Sequence, residues 1–492
     1  MSTPPSSLSP DSPTSPPPSQ PPSQSSHRPS SLPEAPDEAE LDAFERTLGR
    51  LWQLPADHPV RLRAERGAES FVRDGRHARR RSRRTETARA DAALVGATAT
   101  GGTGRREDAP LPTAAEPAPI GELSRPQRCY VCKQHYRQLD AFYHRLCPDC
   151  AQDHTARRAL STDLVGRRVL LTGGRVKIGF QLALMMLRDG AELIVTSRFP
   201  HDTLRRFRAA EGSAGWLHRL RIVGIDLRDP RQVLGLCEQL RAEGRPLDIL
   251  VNNAAQTLRR PPESYARLAA GEHGSTPAQV GHAPGFRPMP ALTAAWPAAE
   301  LSAELATGAG ALIPTGVGST AVDEAGLLPD TAPRNSWSAT LGGLDPAEVL
   351  ETQLVNALAP ALLCDRLLPL LESSPHPRRY IVNVTAVEGR FAVRNKMPGH
   401  PHTNMAKAAL NMLTRTSAAE LATRGVYMCA VDTGWITDEN PAPKKSRLAD
   451  HGFRTPLDIV DGAARVYDPV VRGEAGEPFV GVFLKDYRVA EW

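Results

Sequence analysis

The stretch Val169-Leu-Leu-Thr-Gly-Gly-Arg-Val-Lys-Ile-Gly179 decides how this chain is read. A strand-like apolar run enters Thr172 and Gly173, a short glycine-bearing turn follows, and Ile178 to Leu187 reads as an apolar helix. A strand, a tight turn and a helix start aim unpaired N–H groups and the positive end of the helix dipole at one point, which suits a pyrophosphate. Lys177 stands where such turns usually carry their middle glycine.

Downstream of this stretch, strand-like runs recur at Leu193 to Thr196, Leu220 to Ile225, Ile249 to Val251, Tyr380 to Val384, Val426 to Val431 and Phe479 to Phe483. Helical patterns separate most of them, including Arg231 to Arg241, Pro346 to Leu371, Asn404 to Ala422 and Pro456 to Tyr467. This alternation predicts an α/β fold, a doubly wound parallel (Rossmann) sheet over residues 164–492. Residues 260–344, rich in Ala, Gly, Pro and Thr without clear periodicity, are expected to be a disordered insertion.

Upstream the composition changes. Residues 1–36 are almost all Ser, Pro, Thr and Gln and are expected to form a disordered tail. Residues 37–54 place Leu41, Phe44, Leu48, Leu51 and Trp52 at helical spacing, an amphipathic helix expected to dock on the main domain or a partner. Residues 55–125 read as a low-complexity basic linker, whose run Arg76 to Arg84 is taken as solvated charge. A net charge of +5 over 492 residues argues against nucleic acid as the partner of the whole chain. No apolar run approaches the about 20 residues of a bilayer span, so no membrane role is expected.

Four of the seven cysteines form one pattern: Cys129-Tyr-Val-Cys132, fourteen residues, then Cys147-Pro-Asp-Cys150. Two such knuckles place four thiolates tetrahedrally around Zn²⁺, a closed structural site with no open position for chemistry. Residues 126–157 are therefore read as a zinc-binding module, which also offers a surface for a protein partner. Cys237, Cys364 and Cys429 lie scattered in apolar surroundings, so cysteine usage predicts a reducing compartment, the cytoplasm first, with nucleus or organelle as alternatives.

From Leu164 to Trp492 the chain resembles the short-chain dehydrogenase/reductase family. Thr172-Gly173 to Gly179 matches its glycine-rich turn, Asp226-Leu227 its adenine-contacting pair, and Asn252-Asn253-Ala254-Ala255 its Asn-Asn-Ala-Gly element. Asn356 matches the active-site asparagine, and Lys407 the lysine that holds the nicotinamide ribose. The resemblance implies that Thr172, Gly173, Ile178, Gly179, Asp226, Leu227, Asn253, Ala254, Lys407 and Gly434 contact a dinucleotide. It also implies a carbonyl or alcohol substrate and a homo-oligomer.

Cofactor choice follows from charge. Strand two ends Val195-Thr196-Ser197-Arg198, so it offers the adenine ribose no carboxylate and one guanidinium. Arg198, with Arg175 and Lys177, suits a 2′-phosphate, and NADP(H) is expected over NAD(H).

The family's catalytic tyrosine and serine are replaced, by Thr403 and Ala386. A threonine hydroxyl is a far weaker acid than a phenol, and His400 and His402 are the nearest groups that exchange a proton near neutrality. In a variant spacing known within the family the acid falls seven residues before the lysine, at His400 here. The expectation is an NADP(H)-dependent oxidoreductase with a nonstandard proton-transfer group; the alternative is a noncatalytic NADP(H)-binding sensor or scaffold.

Overall fold

The computed structural model describes residues 35–112, 118–288, 322–328, 332–393 and 396–492. The predicted tail lies outside the described residues except for its last two positions. The chain divides into two compact units, Met1–Arg84 and Thr85–Trp492.

In the first unit, helix α1 (Glu38–Trp52) begins with a reciprocal cap. The Glu40 N–H donates to Asp37 Oδ1 (2.8 Å) and the Asp37 N–H to Glu40 Oε2 (3.0 Å). Its apolar face is exposed, Trp52 at 80%. Helix α2 (Pro59–Gly96), 38 residues long, overturns the linker reading of 55–125. Pro59 opens the helix, no further proline follows, and Ala, Arg and Glu are strong helix formers. Pairs such as Arg61–Glu65 (2.9 Å) support it along the surface. No residue of α2 is buried, so the apolar periodicity that announces a helix is missing.

The second unit is built on a nine-stranded sheet in the order β11-β10-β9-β8-β6-β3-β4-β5-β7. Its strands are β3 (Arg168–Leu171), β4 (Glu192–Ser197), β5 (Leu220–Gly224), β6 (Ile249–Asn252), β7 (Val280–His282), β8 (Arg379–Thr385), β9 (Val426–Asp432), β10 (Phe483–Lys485) and β11 (Arg488–Ala490). All pair in parallel except β10 with β11. Alternate residues feed two cores: Val169, Leu171, Val195 and Val251 one, Leu170, Ile194 and Leu250 the other. The first core is covered by α4 (Lys177–Arg188), α5 (Pro200–Ala209) and α12 (Ile459–Glu474). Covering the second are α7 (Pro230–Ala242), α9 (Pro346–Glu372) and α10 (Pro401–Thr423). The doubly wound expectation holds.

Three expectations are corrected. Helix α9 is long and apolar enough to cross a membrane by length and composition; here Leu363, Leu367 and Leu371 pack into the second core. The strand read at Phe479 to Phe483 begins at Phe483 instead, as β10, after the positive-φ residue Gly481. The insertion 260–344 is ordered in part: β7 pairs with β5, and Tyr265 stacks on Phe199 (6.0 Å, 16°). Residues 289–321 lie outside the described residues.

The cysteine module begins earlier than residue 126. Strand β1 (Pro119–Arg128) pairs antiparallel with β2 (His135–Asp140), α3 (Pro148–Arg157) follows, and Leu94 and Val95 from the end of α2 join its apolar cluster. That cluster runs on into Ile436, Leu457 and Ile459 of the sheet domain. Buried ions fasten the two: Arg158 donates to Asp458 (2.5 Å) and Asp461 (3.0 Å), and Tyr143 to Asp461 (2.6 Å).

Candidate active site

The binding end is organised by the turn entering α4. Asn253 Nδ2 donates to the carbonyls of Thr172 and Gly173, both at 3.0 Å, and Thr172 Oγ1 accepts from the N–H groups of Asn253 and Ala254, also at 3.0 Å. A Cβ on Gly179 would lie 2.1 Å from Gly173 O and 2.6 Å from Asn253 Nδ2, so only glycine closes this turn. Lys177 has φ +53, the left-handed conformation that glycine adopts freely and that costs other residues about 1 kcal/mol. No side chain caps α4, leaving its first-turn N–H groups to a ligand. The residues present therefore fit a dinucleotide pyrophosphate.

Beside the turn, the cations named from sequence are not equivalent. Arg175 donates to Asp202 (2.7 Å), which also pairs with Arg206 (2.8 Å), and Lys177 Nζ lies 3.8 Å from Glu439. Carboxylates distant in sequence face both. Arg198 forms no ion pair among the described residues and lies over the rings of Tyr265 (5.1 Å) and Phe199 (5.8 Å). Asp226 is clamped by Arg228 (2.6 Å), so its carboxylate is committed within the protein, while Leu227 is buried and Ile178 packs between two clusters.

The reaction end lies where β8 and β9 finish and α10 begins. Lys407 is buried and donates to Val384 O at 2.9 Å; burial lowers its pKa to about 8. Gly389 lets α10 come this close, since a Cβ there would meet the Lys407 carbonyl carbon at 2.6 Å. Thr403, one turn before Lys407, is buried with its Oγ1 unpartnered. Asn356 lies in a π-helical turn (Leu354–Leu358) and spends its side chain on Gln256, accepting from its N–H (2.7 Å) and donating to its carbonyl (2.9 Å). It braces the loop after β6.

The histidines separate. His400 caps α10 with φ +45, stacks on Trp337 (3.8 Å, 11°) and sets Nδ1 3.0 Å from Trp337 O; burial lowers its pKa, keeping it neutral at pH 7. His402 is fully buried, neither ring nitrogen has a hydrogen-bond partner, and Nε2 lies 3.7 Å from Glu348 on α9.

Two residues escaped the sequence reading. Asp432, at the end of β9 and in register with Thr385, is buried; burial raises its pKa to about 6, and Oδ2 has no partner while Oδ1 accepts from Val387 N–H (3.2 Å). A carboxylate ending a buried strand was the available signal. Tyr130, inside the first cysteine knuckle, accepts a hydrogen bond from Trp435 N–H at 3.0 Å, next to Gly434. Gly434 itself has φ +82, and a Cβ there would strike Arg465 Nη1.

The four cysteine sulfurs lie within 4.8 Å of one another, with Cys132 and Cys147 Sγ 3.6 Å apart. A tetrahedron with ligand bonds of about 2.3 Å has edges of about 3.8 Å, so the set fits one four-thiolate metal ion.

A parallel doubly wound sheet with a glycine turn at its switch in strand order defines the Rossmann class of fold. Residues 167–269 match the short chain dehydrogenase family model, and residues 322–453 match the model described as enoyl-(acyl carrier protein) reductase. Over these residues the chain is similar to the short-chain dehydrogenase/reductase family. It is 28% identical over 354 residues to uncharacterized protein R665 of Acanthamoeba polyphaga mimivirus, covering 70% of this chain and 71% of that one. Over 117 residues it is 30% identical to a peroxisomal 2,4-dienoyl-CoA reductase of Pongo abelii, 24% of this chain and 35% of that one. A short chain dehydrogenase from Burkholderia cenocepacia in complex with NADP is 20% identical, covering 66% of this chain and 97% of that one, with a TM-score of 0.41.

Proposed function

We propose that this protein is an NADP(H)-dependent oxidoreductase acting on a carbonyl or alcohol, with a threonine–lysine pair in place of the usual tyrosine, and that a structural Zn²⁺ occupies the four-cysteine centre. The observation that carries the reading is the unpartnered, buried Thr403 hydroxyl one helical turn from buried Lys407.

The turn Thr172–Gly179 and the N-terminus of α4 would hold the pyrophosphate, and Arg198 the 2′-phosphate. When bound, NADPH supplies the hydride. Thr403 donates its hydroxyl proton to the substrate oxygen as the C=O π pair becomes an alkoxide, and takes a proton from the Lys407 ammonium, which regains one from water. Lys407, with pKa about 8, is charged at pH 7 and thus holds that proton. Cys129, Cys132, Cys147 and Cys150 would hold the Zn²⁺ in a closed set that takes no part in the reaction.

NADPH oxidation against a panel of aldehydes and ketones tests this, comparing wild type with Thr403→Val. The expected result is a kcat loss of roughly 10²-fold or more with an unchanged NADPH Kd. Equal turnover in the two proteins, or no NADPH binding by wild type, would defeat the reading.

A further inference from the structure

The tyrosine of the first cysteine knuckle reaches the segment that follows Gly434. Its own N–H donates to Arg145 O (2.8 Å), close to the second knuckle, and Lys133 and Lys485 Nζ lie 5.1 and 5.3 Å from its ring centre. The ring is thereby fixed while its hydroxyl takes the Trp435 N–H.

Two further ties run in parallel. Glu107 accepts from Asp438 N–H (2.9 Å) and Lys445 (2.6 Å). Arg105 joins Thr100 O (2.9 Å) to Thr455 O (2.5 Å), and Thr455 Oγ1 donates to Ile436 O (2.8 Å). Thr100 is bonded to Phe142 O and to His144 inside the module. Trp435, Ile436 and Asp438 are thus tied to residues 100–145. Four cysteine sulfurs brought within 4.8 Å suit a single cation, and a metal held there would brace the knuckle carrying Tyr130.

We propose that metal occupancy of the four-cysteine centre and dinucleotide binding are coupled through Tyr130 and Glu107. The loaded centre holds residues 434–438 in the form that retains NADP(H), and bound NADP(H) in turn tightens the metal. The inference rests on the zinc and NADP(H) readings above. Tyr130 and Glu107 are positioning residues, and linkage requires the coupling factor to be the same in both directions.

The test uses the zinc-loaded full chain. The apparent zinc Kd is measured by competition with a chromogenic chelator, with and without saturating NADPH, and the NADPH Kd by fluorescence. NADPH should tighten zinc at least about fivefold. Tyr130→Phe, which keeps all four cysteines, should retain one zinc, weaken NADPH about fivefold and lose the mutual effect. A zinc Kd indifferent to NADPH in a protein that binds NADPH overturns the proposal. So does an unchanged NADPH Kd in both Tyr130→Phe and Glu107→Ala. If the chain binds no NADPH, or no stoichiometric zinc, the underlying reading itself falls and the coupling with it.

Discussion

The glycine turn and the head of α10 are finished to different degrees. Around the turn, Thr172, Gly173, Asn253 and Ala254 bond to one another, and the nearby cations Arg175 and Lys177 face carboxylates. At the head of α10, Thr403 Oγ1 and both ring nitrogens of His402 are buried without a hydrogen-bond partner, as is Asp432 Oδ2 at the end of β9. Buried polar atoms in folded proteins are nearly always satisfied, so exceptions beside a candidate site are places that a ligand can complete. One end is a rigid seat and the other a set of unspent donors and acceptors.

The sharpest way to break this contrast is Gly179→Ala. Its methyl would overlap the Gly173 carbonyl, and over-packing of this kind costs up to about 3 kcal/mol. NADPH affinity should fall roughly 100-fold by fluorescence titration; unaltered affinity would mean that the turn is not the seat.

Next comes Asp432→Asn. A carboxyl whose folded pKa is raised to about 6 favours the folded state while protonated, and that advantage fades as pH climbs from about 4 through 6. Above pH 6 the ionised group burdens the fold by about 3 kcal/mol at most. Urea unfolding should therefore find the asparagine variant more stable than wild type at pH 8 and indistinguishable near pH 4. Lower stability at pH 8 would show that the charge is wanted.

Lys407 gives a smaller effect. With a pKa near 8, turnover should decline about fiftyfold between pH 8 and pH 10 as the ammonium is lost, and Lys407→Arg should move that limb beyond pH 10. A flat profile in wild type would remove the lysine from proton transfer. Smallest of all, Arg198→Ala should weaken NADPH about tenfold and leave NADH unchanged, since a single charge-assisted contact is at stake. Equal losses for both cofactors would return Arg198 to a packing role over Phe199 and Tyr265.

The rigid end was legible in sequence because its motifs are short: Gly173 and Gly179 are demanded by the backbone of one turn, and the Asn252-Asn253 pair, whose Asn253 reaches back to it, stands at the end of a strand. The sheet was legible for a related reason, since strands buried on both faces must be apolar throughout. What escaped depended on contacts between distant segments. Nothing near Lys177 announces Glu439, and nothing near Trp435 announces Tyr130. Helix α2 escaped differently, being stabilised by propensity and surface pairs with no buried residue. Asp432 was in view, but a carboxylate is assigned to a site only once burial and an empty oxygen are seen.

Both rims of the sheet end in strands of three residues, β7 on one side and β11 on the other. A free strand edge is a template on which another chain can polymerise, and its hazard grows with length. Here β7, drawn from within the insertion, covers β5, and β11 folds back antiparallel over β10. The segment that interrupts the fold in sequence thus guards one margin against aggregation, and deleting residues 277–283 should cost solubility before it costs catalysis.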